Sequence, residues 1–514
     1  MQIETQGSLF FILSTMKKTL ATAIAILSFV AAFAQGTDDA FLFSQTCYQG
    51  TAKAMGMGNA LGAVGGDMTS ICINPAGMGI YRSDEFTTTL SLMDNYHSST
   101  YYGSNNGGNK MRLSIPNIGF VGTKQKSNYR PLRYTQFGIG LTRTNDFNMH
   151  ALSKGINPTS SKIDDYLGQI RNEFYPEGYN GELYTSMFPS YQLEEEASAY
   201  TILPAWYTYL IDVYDTESDP YYSSPVPQGN IWQGQESEFK GRSEAWTFAG
   251  SANYYDKLFL GMSVDLAHIK RVGTKTFSES RVDGTDTEFN QWSYEEELYS
   301  IGWGANLKAG LIYHANHWLR FGAAFHSPTI YSFSETWQTE TESQILGITR
   351  KSFSQESNYE YVFVSPLKWI GSMAFILGAQ NMISLDAEYT NYGAARFKAE
   401  EYDYSAVNED IKGTYGKTFN FRVGSEWSLG TSSLRLGAAY YGSPFGLGEK
   451  GGSVKKASCG ISVPVSLDTT FDFAYELTYG QNYHILYDAG DLGIEPVTQK
   501  QIRNLVAATL KVRF

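Results

Sequence analysis

Beyond residue 84, hydrophobic and polar residues alternate along much of the chain. In Leu258–Ala267, Leu258, Leu260, Met262, Val264 and Leu266 fall on one face, with Gly261, Ser263 and Asp265 on the other. Leu319, Phe321, Ala323 and Phe325 oppose Arg320 and His326, and Ile383, Leu385 and Tyr389 oppose Asp386 and Glu388. Phe421, Val423 and Trp427 oppose Arg422 and Glu426. Three further runs isolate Lys308, Arg435, Asp472 and Glu476 in the same way. A period of two places successive side chains on opposite faces of a strand. A soluble sandwich also alternates. Here the charges avoid the apolar face entirely, and the polar face mixes acids, bases and small residues. That is the pattern of lipid outside and a polar lumen inside.

The periodicity predicts fourteen strands, near residues 85–93, 112–123, 134–144, 244–255, 257–270, 301–314, 317–333, 361–378, 381–392, 417–429, 432–442, 453–466, 469–479 and 501–514. Short turns (YDKL, HANHW, QN, GTS, LDTT) alternate with longer polar links at 94–111, 145–243, 271–300, 334–360, 393–416, 443–452 and 480–500. Short turns on one side and long loops on the other define an outer-membrane barrel, with both chain ends on the periplasmic side. Bilayer hydrocarbon satisfies no backbone N–H or C=O, so the sheet must close. The predicted fold is therefore an all-β, 14-stranded antiparallel transmembrane β-barrel with an N-terminal plug, or hatch, in its lumen. Trp303, Trp318, Trp369, Trp427, Tyr389 and Tyr392 fall near strand ends, where aromatic girdles meet headgroups. Leu436 should face lipid and Arg435 the lumen, so Leu436→Arg should do more damage than Arg435→Leu.

Residues 1–34 read as a signal peptide: Lys17 and Lys18 precede the apolar run TLATAIAILSFVAAF, and Ala32-Phe33-Ala34 is a small-residue cleavage site. Met16 is the alternative start. The mature chain then divides into a hatch at 35–84 and a barrel at 85–514, with an extracellular insertion at 145–243. The net charge of −13 opposes a nucleic-acid partner. Three cysteines, Cys47, Cys72 and Cys459, make no disulfide framework; either Cys47 pairs with Cys72 or all three are free.

Gly56-Met57-Gly58-Asn59-Ala60-Leu61-Gly62 is one residue off a dinucleotide fingerprint, but no βαβ unit surrounds it. The alternative is backbone packed inside the barrel, where glycine permits close approach and Met and Ala fill gaps. Asn74–Gly77 is a turn signal that reverses the chain there.

GTAKAMGMGNALGAVGGDMTSICINPAGM resembles the N-terminal hatch of the FadL/TodX-type (OMPP1) outer-membrane transport proteins, matching at Gly50, Ala54, Met55, Gly56, Gly58, Ala60, Asp67, Ser70 and Asn74–Gly77. WLRFGAAFHSPTIYSF and LRLGAAYYGSPF resemble that family's LRLG-x-x-Y-x-SP element, and Phe514 resembles the terminal residue read by the barrel-assembly machinery. The resemblance implies passive uptake of long-chain fatty acids or similar lipophiles across the outer membrane of a Gram-negative bacterium. Ligand would be captured by extracellular loops, pass beside the hatch, and leave through a gap in the wall. Met55, Gly56, Met57, Gly58, Asp67, Asn74, Pro75 and Ala76 mark the substrate path on this reading.

Within the long loop, Ser161–Pro176 carries a helix start, an apolar stripe (Ile163, Tyr166, Leu167, Ile170, Phe174) and a stop. A second apolar segment spans 193–213. Leu203, Trp206 and Leu210 are candidate ligand contacts, the alternative being a lid with its own core. The seven histidines scatter, no G-x-S-x-G occurs, and His314/His317 lie in a predicted turn. The expectation is no catalysis, no cofactor and no metal. The partners expected are a hydrophobic small molecule and membrane lipid. A haem or other ligand receptor, or an adhesin displayed on loops, is the other reading.

Overall fold

The computed structural model describes residues 36–126, 129–174, 198–214, 221–282, 288–378, 381–445, 451–488 and 492–514. Fourteen antiparallel strands form the barrel: β1 (Glu85–Tyr101), β2 (Ser104–Gln125), β3 (Leu132–Asp146, continued as Met149–Asn157), β4 (Ile231–Tyr254), β5 (Leu258–Arg281), β6 (Phe289–His314), β7 (Leu319–His326 and Ile330–Ile345), β8 (Ser357–Val364 and Lys368–Leu377), β9 (Asn381–Asn391, with Arg396–Lys398), β10 (Lys417–Leu429), β11 (Ser432–Tyr441), β12 (Val454–Pro464), β13 (Thr469–His484) and β14 (Val497–Arg513). Neighbours in sequence pair with each other. The ring closes where β1 pairs with β14, from Glu85↔Arg513 to Thr100↔Thr498.

All fourteen predicted strands are present, and the faces are those read from the sequence. Leu260, Met262, Val264, Leu266, Leu434, Leu436, Phe473 and Val506 point outward and are exposed. Asp265, Lys308, Asp386, Glu388, Arg422, Arg435, Asp472 and Glu476 point inward and are buried. Trp303, Trp318, Trp369 and Trp427 are exposed on the outside. Tyr392 is a correction: it turns inward and is buried in an aromatic cluster with Phe363, Phe397 and Tyr415.

Several links predicted as loops are strand instead. Residues 94–111 continue β1 and β2 to a tight turn at Tyr102-Gly103, both at positive φ. Residues 271–281, 289–300 and 334–345 likewise prolong β5, β6 and β7. Above the bilayer neither face meets lipid, so the apolar/polar contrast fades although the ladder continues. Ser-Pro pairs interrupt β7 and β8. There the serine hydroxyls replace lost ladder bonds: Leu307 N–H donates to Ser327 Oγ (3.0 Å) and Thr329 N–H to Ser365 Oγ (2.9 Å).

The chain before β1 runs inside the ring of strands. It contains helices α1 (Thr37–Ser44), α2 (Ala52–Gly56) and α3 (Ser70–Ile73), then a 3₁₀ turn at Pro75–Ile80. Its contacts reach strands around the circumference. Ala52 N–H donates to Thr509 Oγ1 (2.7 Å), Gly62 N–H to Asp386 Oδ2 (3.1 Å) and Asn74 Nδ2 to Leu311 O (3.1 Å). Lys308 Nζ donates to Cys72 O (2.9 Å). The wall is glycine where this backbone touches it: a Cβ at Gly437 would lie 2.2 Å from Gly58 N, and one at Gly322 2.3 Å from Gly62 O. Gly58 itself has φ +60° and stands against Ala438.

Candidate functional site

The wall is not uniformly laddered. β2 pairs with β3 only from Asn117↔Thr142 to Gln125↔Tyr134. Pro116 ends this stretch, because it has no N–H to give. A register shift between Arg143 and Asn145 then loosens β3 against β4, and after Asp146 the chain turns inward. Its continuation, Met149–Asn157, pairs with β4 alone. It lies on the inner side of the β1–β2 hairpin: Asn95 Nδ2 donates to Asn148 O (2.8 Å), and a Cβ at Gly108 would fall 2.4 Å from His150 O. Residues 104–116 of β2 therefore have no ladder partner on this side among the described residues. Met111, Leu113 and Ile115 there are 57–65% exposed on the outer face, so the break lies within the apolar band. Side chains bridge it instead. Lys110 pairs with Glu238, and Arg112 reaches Asp146 Oδ2 (3.3 Å) and Gly241 O (3.2 Å).

Behind this break is a chamber of about 360 Å³. Asn145–Met149 form its side toward the break, and Asp38–Cys47 enter from below. Phe41, Leu42, Phe147, Met149, Phe239 and Val454 give it apolar surface. The opposite wall, from β1, β13 and β14, is polar: Asn95, His97, Asn482, Gln499, Gln501 and Arg503. A second cavity of about 450 Å³ shares Asp38, Asp39, Met149, Phe239 and Arg271 with the first. Among these shared residues Arg271 pairs with Asp39 (2.7 Å) and so fixes the start of α1. None of this wall was singled out from sequence. Its one signal is that Asn95, His97 and Arg503 lie at inward register positions.

The predicted path residues are gathered below the chamber. Met55, Gly56, Met57, Gly58, Asp67, Asn74, Pro75 and Ala76 are all buried between the inner chain and the wall. Asp67 is the electrostatic centre. It accepts Thr51 Oγ1–H (2.7 Å) and Thr69 N–H (2.9 Å) and pairs with Lys511 (3.1 Å). Burial alone would raise its carboxyl. The Lys511 and Lys53 charges and those hydrogen bonds outweigh it and hold Asp67 below the usual carboxylate range. The network extends through Lys511–Asp472 (2.8 Å), Arg435–Asp472 (2.9 Å), Arg435–Glu426 (2.5 Å) and Lys53–Glu426 (3.9 Å). Three cations thus face three carboxylates. This corrects the expectation that Arg435 stands in a forgiving polar lumen: at 4% exposure it is locked between two buried anions.

The insertion forms a cap over the upper barrel. α4 (Lys162–Phe174) begins at the predicted Ser161, whose Oγ accepts Ile163 N–H (3.0 Å). α5 (Ile202–Tyr207) is one short turn within the second predicted segment. Both pack with Phe277, Phe289, Trp292 and Tyr487. Leu210 is fully buried in this cluster, Trp206 packs on its edge, and Leu203 is half-buried; none of the three lines the chamber. Residues 175–197 lie outside the described residues. Cys47, Cys72 and Cys459 are free thiols. Among the described residues, no group of His, Cys, Asp or Glu is placed to hold a metal, His314 and His317 included.

The fold agrees over nearly the whole chain with a FadL homologue from Pseudomonas aeruginosa (TM-score 0.57, 12% identity, 91% of this chain and 99% of that one). It agrees likewise with the toluene transporter TodX of Pseudomonas putida (TM-score 0.52, 11% identity, 92% and 100%). The sequence matches no family model and no curated protein.

Proposed function

We propose that this chain is an outer-membrane channel for passive uptake of hydrophobic small molecules. The observation that carries the reading is the break between β2 and β3, at the level of the apolar belt, with a chamber directly behind it. A pore for hydrophilic solutes has no use for a side exit into lipid. A lipophile does, because leaving sideways spares it the water beyond the barrel. In this reading residues 35–84 are a hatch that keeps the lumen shut to ions. Molecules enter past the cap, collect in the chamber, and leave between Lys110/Arg112 and Glu238/Asp146. The two fold relatives support this, one being named as a FadL homologue and the other as a toluene transporter. Phe514, 74% exposed at the end of β14, is available for recognition by the assembly machinery.

The test is uptake of a labelled lipophile by cells expressing the chain, beside mass spectrometry of apolar molecules that co-purify with it. Expression-dependent uptake and an enriched lipophile are the expected results. Uptake equal to that of cells with a control barrel would refute the reading, and enriched haem would replace it with a receptor.

A further inference from the structure

Above the apolar belt, the outer face of β4, β5 and β6 carries an ordered succession of charge. The ladder register sets these residues in rows across the three strands. Trp246, Leu266 and Ala305 end the apolar belt, and Glu244, His268 and Trp303 form the next row. Above them come Arg242, Lys270 and Ile301, then Lys240, Val272 and Tyr299. The row beyond is acidic, with Glu238 and Glu297 on either side of Thr274. Lys240 and Lys270 are exposed, and the Arg242 side chain is 41% exposed. At about 3.4 Å per residue and a strand tilt of about 40°, Arg242 and Lys270 stand about 10 Å above the Trp246 row. The cations are therefore confined to a narrow band just above the tryptophans, at the level of lipid headgroups.

This band is short of counter-charge. Arg242 and Lys270 are direct ladder partners, and like charges directly opposite each other repel. The neighbouring acids do not cancel them. Arg242 takes Glu244 (2.7 Å), while Lys240 (3.6 Å) and Lys110, which reaches across the break, share Glu238. Lys270 pairs with no carboxylate among the described residues; its ammonium lies 5.1 Å from the Tyr299 ring centroid. Four cations thus share two carboxylates, in a chain whose net charge is −13.

We propose that this band is a binding site for a phosphorylated lipid of the surrounding outer leaflet. The phosphate sits over Arg242 and Lys270 and relieves their repulsion. The guanidinium supplies paired N–H donors, and Lys240 bonds the remaining oxygens. The acyl chains run down the wall over Phe248, Leu260, Met262, Val264 and Leu266, all exposed on the outer face below the band. That apolar continuation favours a lipid over a free phosphate ion. The occupant is a resident of the membrane and not cargo, because Lys240, Arg242 and Lys270 stand on the outside and none of them lines the chamber. The site is independent of the uptake reading.

The experiment is native mass spectrometry of the detergent-purified full chain, titrated with bisphosphorylated lipid A and with the same lipid after enzymatic removal of both phosphates. The phosphorylated form should bind about tenfold tighter or more. Lys270→Gln and Arg242→Gln should each weaken it about tenfold, as loss of a charged hydrogen bond does. Both positions are exposed, so the variants should fold, as circular dichroism would verify. Lys455→Gln, which removes an exposed lysine from β12 across the barrel, should change nothing. No binding of either lipid, or equal affinity for both, would overturn the site. An equal loss with Lys455→Gln would do the same, since net charge and not arrangement would then govern binding. Displacement of the lipid by an equal concentration of inorganic phosphate would reassign the band to a free anion and overturn the lipid site.

Discussion

Replacing Arg435 should be among the most damaging single changes in the wall, although the position faces the polar lumen. Arg435 donates to Glu426 Oε2 at 2.5 Å and to Asp472 Oδ1 at 2.9 Å, and all three side chains are buried. Arg435→Leu leaves two cations, Lys53 and Lys511, against three carboxylates, Asp67, Glu426 and Asp472. Breaking a buried pair by removing one partner costs about 3–5 kcal/mol, because the remaining charge stays desolvated. Lys511 still neutralises Asp472 at 2.8 Å, whereas Lys53 is 3.9 Å from Glu426, so the deficit falls mainly on Glu426. On the lipid side, Leu436→Arg should cost about 2–4 kcal/mol at mid-bilayer. The two adjacent changes are therefore comparable, for opposite reasons: one removes a charge from a balanced cluster and the other adds a charge to hydrocarbon. The assay is reversible urea unfolding in phospholipid vesicles followed by tryptophan emission. The double variant Arg435→Leu with Glu426→Gln should recover part of the loss. A cost below about 1 kcal/mol for Arg435→Leu, the range of solvated surface pairs, would show that water reaches the cluster and would refute the argument.

Deleting Gly50–Gly79 should open the lumen to small solutes, read as conductance in planar bilayers; an unchanged trace would show that this segment does not close the barrel. Gly322→Val should act in the same direction without a deletion, since its side chain must displace the backbone at Gly62 and Ala63; native conductance and native stability together would contradict the close approach. Arg112→Ala should speed uptake of a labelled lipophile by removing a bridge across the break, and slower uptake would mean that Arg112 guides cargo rather than bars it. Because the Asp67 carboxyl is held below its unfolded value, its anchoring is complete above about pH 4. It fades only as pH falls through the lower folded value, so the inner segment should resist proteolysis down to about pH 4. Release between pH 7 and pH 5 would contradict the assignment.

The faces of the strands were legible because lipid imposes a strict rule: Asp265, Arg422 and Glu476 cannot point outward, so their neighbours mark the outside. The ends of the strands were not legible. Thr274–Phe277 and Ser98–Tyr101 stay paired beyond the apolar runs, and alternation carries no signal once both faces meet polar surroundings. The inner segment could be located by its glycines, methionines and Asn74–Gly77, but not its bonds. Asp67 is the one charge in Ala54–Met78, which singles it out, yet nothing local announces Lys511 as its partner.

The break in the wall shows where such reading stops. Alternation assigns a residue to a face and says nothing about its neighbour across the ladder. Met111, Leu113 and Ile115 look like any lipid-facing run, and only the register shows that their strand has lost its partner. The local signs were Pro116, which cannot donate, and Asn145-Asp146-Phe147-Asn148, a polar turn set into an otherwise regular strand. Each has an ordinary explanation alone. Their meaning comes from being adjacent in the sheet, with Arg112 bonded to both Asp146 and Gly241. A barrel that had to close at this level would keep these backbone groups paired, since hydrocarbon offers them nothing. That this one meets the cost with long charged side chains, beside a chamber inside the barrel, is the physical case for reading the break as an exit rather than as an irregularity of the sheet.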